Sequence, residues 1–264
     1  MRSTQFLKRL VLAITVLAMA TISLVAPIPQ DLAYHDFADQ RALWFVPNFW
    51  NVVSNAGFFV VGVYGLWLLL RRRRLQVVPS LRLSYTLFLA GVTLVAFGSG
   101  YYHWRPNNQT LLWDRLPMTL AFMALLSVTF GEFLAITWAR RSLWPLLLIG
   151  VMSVLFWVWG EQRGAGDLRP YALVQFLPMI LMLVFFVLGR SKFEPISGYW
   201  WLFGAYVLAK VFEHFDGQIL ALTHGFMAGH ALKHVCAALG LWALLLCYKK
   251  RVRSDVTDVY DFFD

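Results

Sequence analysis

Eight long apolar runs, separated by short charged connections, constrain this chain more than any other feature. They cover about residues 8–26, 49–70, 83–104, 111–136, 143–160, 168–189, 198–221 and 224–248. A helix needs roughly 20 mostly apolar residues to cross a bilayer. In lipid every backbone N–H and C=O must be satisfied within the protein, and a helix does this within one segment. The expected fold is therefore all-α, a polytopic transmembrane bundle. Composition agrees: 59% of the 264 residues are hydrophobic and 14% charged, against roughly 25% charged in a soluble domain. The net charge of +9 does not indicate nucleic acid, because the positive residues sit in short runs between the apolar segments.

Those runs orient the chain. Arg2, Lys8 and Arg9 precede the first segment, and Arg71 to Arg74 and Arg82 follow the second. Arg140 and Arg141 follow the fourth, Arg190 and Lys192 the sixth, and Lys249, Lys250, Arg251 and Arg253 the eighth. With eight spans every cluster falls on one side. The opposite side holds only the scattered Arg41, Arg105, Arg115, Arg163 and Arg169. The positive-inside rule then places both termini in the cytoplasm. The first segment has the basic start of a signal peptide. Its apolar run is long, however, and Pro27 follows Ala26 at the obvious cleavage point, so it is expected to stay as a helix. The expected division is an N-terminal helix over 1–30, a non-cytoplasmic acidic loop over 31–48, a helical domain over 49–250 and a polar cytoplasmic tail over 251–264. Cys236 and Cys247 lie eleven residues apart on one helix, about 16 Å, too far for a disulfide.

Ionisable residues inside spans cost at least about 2.5–3.5 kcal/mol each on insertion scales, and so are functional suspects. Ser99 and His103, in "GSGYYH", are four apart on one helix face. Asp114, in "LLWDRLPM", opens the next segment. His230 and His234, in "GHALKH", have the i, i+4 spacing that lets one face hold a metal. All five residues fall near the non-cytoplasmic end of their segments. Three His with an open position are a catalytic zinc arrangement. Each residue alone has a plainer reading, such as helix packing for Ser99 or a pairing with Arg105 or Arg115 for Asp114. Glu213, His214 and Asp216 form a further group, with Lys210 and Lys233 as candidate ion-pair partners. His35 and His224 read as interfacial.

Together, "NVVSN" at Asn51 to Asn55, "GSGYYH", "DRLPM" and "GHALKH" resemble the alkaline ceramidases. These belong to a wider group of seven-helix membrane hydrolases, the CREST superfamily, which includes the progestin and adiponectin receptors. The resemblance covers about Asp36 to Tyr248. It implies a seven-helix core from the second to eighth segments, with one extra N-terminal helix. It implies a zinc ion on His103, His230 and His234, with Ser99 and Asp114 as catalytic residues beside it. It implies hydrolysis of the amide of a ceramide-like lipid entering from the bilayer. The sequence itself gives no sign of nucleic acid or of an obligate protein partner. The family's calcium site would fall in "HDFADQRALWFVPNFWN", on Asp36, the Phe37 carbonyl, Asp39 and Asn48. Arg41 intrudes there and Asn48 stands where a carboxylate is expected, whereas calcium favours several carboxylates. The alternatives are a lipid-sensing receptor of the same superfamily and a hydrolase of another acyl lipid. A transporter is less well served, because its polar residues should line a path through both leaflets.

Overall fold

The computed structural model describes residues 4–254. Arg2 and the tail from residue 255 lie outside them. Ten α-helices form the bundle among the described residues. They are α1 (Thr4–Leu24), α2 (Phe49–Val53), α3 (Ala56–Leu66), α4 (Arg82–Trp104), α5 (Asn108–Phe133), α6 (Ile136–Glu161), α7 (Arg169–Leu188), α8 (Ser197–His214), α9 (Asp216–Leu222) and α10 (Gly229–Lys250). Seven helical stretches are long and apolar enough to cross a membrane: α1, α2 and α3 taken together to Arg72, α4 from Pro79, α5, α6, α7 and α10. This is a multi-pass membrane protein. The expected span over 198–221 corresponds to α8, an 18-residue helix whose Lys210, Glu213 and His214 dilute its apolarity.

Two apolar runs break where the sequence alone showed continuity. The run over 49–70 divides at Ser54 and Asn55, between α2 and α3. The run over 198–221 divides at Phe215, between α8 and α9, and α10 begins at Gly229 rather than near 224. His224 and Gly225 both have positive φ, 51° and 79°, and form the turn between α9 and α10. Both breaks lie beside polar residues of the site described below.

Packing centres on α5, which meets α4, α6 and α7, and on the pair α8 and α10. Pro117 lies inside α5. A proline there has no N–H to donate to the carbonyl four residues earlier, which frees the carbonyl of Trp113. Gly98 of α4 packs onto that carbonyl so closely that a Cβ on Gly98 would stand 1.9 Å from the Trp113 oxygen. The crossing sets Ser99 beside Asp114. In the same way, a Cβ on Gly229 would stand 2.1 Å from the Phe212 oxygen, where α10 starts against α8.

The residues just after α10 are held against the bundle. Arg251 is buried and bonds both carboxylate oxygens of Glu132, at 2.8 and 2.7 Å, and the Gln76 carbonyl. Tyr85 and Tyr199 also bond Glu132, and Tyr199 bonds Tyr248. Val252–Arg253 pairs antiparallel with Phe193–Glu194 as a two-stranded ribbon. Residues 251–254 therefore pack with the bundle, within the stretch expected as tail, and the residues from 255 lie outside the described ones. Helix α1 lies against α7, burying Leu7 and Val11. The segment after it is tied down by Leu168 N–H to the Ile28 carbonyl and by Arg169 to the Val25 carbonyl.

Candidate metal centre

His103 comes from the end of α4, and His230 and His234 come from the first two turns of α10. Their ring centroids are 4.8 Å (103 to 230), 4.9 Å (103 to 234) and 5.3 Å (230 to 234) apart. One nitrogen from each lies within 4.8 Å of the others, and all three side chains are buried. Nδ1 of His103 and Nε2 of His230 have no hydrogen-bond partner. His234 Nδ1 meets Ser54 Oγ at 2.9 Å, leaving its other nitrogen for the cluster. Buried nitrogens left unpaired cost about 1–3 kcal/mol each. Three converging imidazoles, two of them with an unpaired buried nitrogen, therefore fit a metal ion, and the donor type suits zinc. The Ser54 contact orients the His234 ring, as outer partners of metal-binding His commonly do.

Neighbouring residues fix this geometry. Asp216 accepts the His230 backbone N–H at 2.6 Å, anchoring the start of α10, and also accepts Ala38 N–H at 3.0 Å. The Phe37 ring covers His103 and His230, with centroids at 4.8 and 4.5 Å. Asn48 donates to the His103 carbonyl at 2.9 Å. Sequence reasoning gave none of these residues these roles. Each acts through a partner at least fourteen positions away, and no spacing rule reaches that far.

The acidic loop is held by its own ion pair. Asp39 makes a two-point ion pair with Arg41, Nε to Oδ1 at 2.8 Å and Nη2 to Oδ2 at 2.6 Å. Those hydrogen bonds hold its carboxyl below the usual carboxylate range. The Asn48 amide is turned to His103. Among the described residues the His triad is the one group of three or more metal-type side chains brought together, and Asp36 and Asp39 join no such group. His35 is not simply interfacial: its two nitrogens meet Tyr102 Oη at 2.8 Å and Asn108 Oδ1 at 2.9 Å.

A cavity of about 450 Å³ opens beside the triad, with His234, Ser99 and Asp114 in its wall. Most of the lining is apolar, from Phe58, Phe88, Val92, Met118, Phe122 and Leu241 among others. Ser99 sits beside the Asp114 carboxylate. Glu213, also in the wall, bridges Lys210 at 2.6 Å and Lys233 at 2.5 Å, as the sequence suggested. Arg115, counted among the non-cytoplasmic arginines near the start of its segment, is buried within α5 and lines the same cavity.

Comparison with known proteins follows this geometry. A Dictyostelium discoideum protein named "Putative alkaline ceramidase dcd3A" is 27% identical over 99 residues, 33% of this chain and 34% of that protein. That similarity spans about a third of the relative's length. The sequence model of the family described as Ceramidase matches residues 39–255, from the acidic loop to just past α10 and so most of the chain. The chain belongs to the ceramidase family.

Proposed function

We propose that this protein hydrolyses the amide bond of ceramide-like N-acyl lipids, releasing a fatty acid and a long-chain base. The observation that carries this reading is the joining of a buried three-His cluster to an apolar cavity whose wall also holds Ser99, Asp114 and His234. Lipid chains match apolar walls, while the few polar groups converge at one end, as in most small-molecule sites.

The unpaired nitrogens of His103 and His230, with the remaining nitrogen of His234, would hold zinc. Bound there, zinc supplies Lewis-acid polarisation of a carbonyl and a more acidic water. Asp114 is the general base: its carboxylate takes a proton from the attacking water and returns it to the amine nitrogen as the C–N bond breaks. Water thus gives its hydroxyl to the acyl carbon and its proton to the leaving base. Ser99 Oγ donates to the oxygen that becomes negative at the carbonyl. Phe37 excludes bulk water from the two rings it covers. Lys210 and Lys233 neutralise Glu213, and the Lys233 pair ties α10 to α8.

The basic clusters support cytoplasmic termini, with the metal centre towards the opposite face. On that reading the site is periplasmic in a bacterium.

The test is product release from a panel of N-acylated lipids, followed by mass spectrometry, with purified wild type beside Asp114→Asn. Free fatty acid and long-chain base from wild type, reduced at least ~100-fold in the variant, is the expected result. A metal-loaded wild type that turns over no lipid would instead favour the receptor reading.

A further inference from the structure

Among the described residues two arginines are buried, and their surroundings differ. Arg251, 1% exposed, has two carboxylate oxygens and a backbone carbonyl. Arg115, 6% exposed, has no carboxylate in ion-pair range. Its Nη2 donates to the Gln30 side-chain oxygen at 2.5 Å, and its Nη1 has no partner. The guanidinium stacks over Trp157 and Tyr171, at 4.2 and 4.8 Å from the ring centroids. Aromatic faces attract a cation but do not neutralise it. A buried charge without its counter-ion is strongly destabilising, and within a membrane such a residue marks a ligand pathway by default.

Arg115 faces the cavity that Ser99, Asp114 and His234 share. Charge in that wall is unbalanced. Arg115, Lys210 and Lys233 stand against Asp114 and Glu213, and Glu213 is already shared by both lysines. A guanidinium with a free N–H edge binds oxyanions such as carboxylate and phosphate. Arg115 and Asp114 line one cavity, so a lipid whose amide is served by Asp114 lies within that guanidinium's reach.

We infer that Arg115 is an oxyanion subsite, selecting N-acyl lipids that carry a carboxylate or phosphate within a few bonds of the amide nitrogen over neutral ceramides. This rests on the amide-hydrolase reading for the position of the amide. The carboxylate of an N-acyl amino acid and the phosphate of a ceramide 1-phosphate share the required chemistry.

Equilibrium binding separates this inference from the hydrolase reading. Labelled N-palmitoyl amino acid, ceramide 1-phosphate and neutral ceramide are bound to the Asp114→Asn protein in detergent, with and without Arg115→Gln or Arg115→Lys. Hydrolysis of the same lipids by wild type is measured alongside. At least one acidic lipid is expected to bind about tenfold or more tightly than the neutral one. Arg115→Gln should bring the ratio close to one, and Arg115→Lys should keep most of it. Which acidic lipid shows the preference identifies the oxyanion. Equal binding of acidic and neutral lipids, or a preference that survives Arg115→Gln, overturns the inference even if wild type hydrolyses them all. An Arg115-dependent preference without turnover of any lipid leaves the subsite standing and removes the hydrolase reading.

Discussion

At the residue scale, the donor set of the centre was legible, while its supports were not. His230 and His234 announce themselves by i, i+4 spacing, and His103 by its depth in the preceding helices. Ser54, Phe37 and Asp216 make their contacts across the fold, and Arg115 looked like one more non-cytoplasmic arginine because the sequence does not reveal where α5 begins to be enclosed. Two outcomes test roles at this scale. Ser54→Ala removes the hydrogen bond to His234 Nδ1, and loss of such an outer partner weakens metal binding by about 10–100-fold; a zinc competition titration measures it. The Asp39 carboxyl is held low by Arg41. Its contribution to stability is therefore complete above the unfolded carboxylate pKa of about 3.9 and is lost as pH falls towards the folded value. Thermal midpoints of wild type and Asp39→Asn should converge below about pH 4 and separate above it.

At the element scale, the apolar runs located the helices well because length and hydropathy decide insertion. Their ends and breaks escaped, because a run such as residues 49–70 stays apolar across the Ser54–Asn55 interruption. What breaks it is tertiary: Ser54 turns to His234, and Asn55 Nδ2 donates to the Asn51 carbonyl at 2.7 Å. The crossing of α4 and α5 is the element-level feature on which the site depends. A methyl at Gly98 would collide with the Trp113 carbonyl and push Ser99 and His103 away from Asp114. Gly98→Ala is expected to cost about 1–3 kcal/mol and to lower turnover more than a change of similar stability far from the crossing. Thermal unfolding and lipid hydrolysis on the same preparation measure both. Had α4 room to shift, the variant would melt and work like wild type.

At the scale of the whole molecule, the polar residues gather at two places in the bundle. One is the His centre with its cavity. The other is the Glu132–Arg251 pair with its tyrosines, which ties the end of α10 to α4, α5 and α8. Arg251→Ala would leave Glu132 buried without its counter-ion, at an expected cost of about 3–5 kcal/mol, visible as a large fall in thermal midpoint. All-helical architecture and membrane insertion were legible because they follow from composition and segment length. The anchoring of residues 251–254 was not, because Arg251 resembles every other residue of the basic cluster until Glu132, 119 positions earlier, folds against it. The central claim is that the three His hold a metal on which amide hydrolysis depends. The most direct measurement is metal content and N-acyl lipid hydrolysis on the same purified samples of wild type and His230→Ala. About one zinc per wild-type chain with turnover, and neither in the variant, is expected. A wild type that hydrolyses lipid without bound metal, or a variant that keeps both metal and turnover, contradicts it.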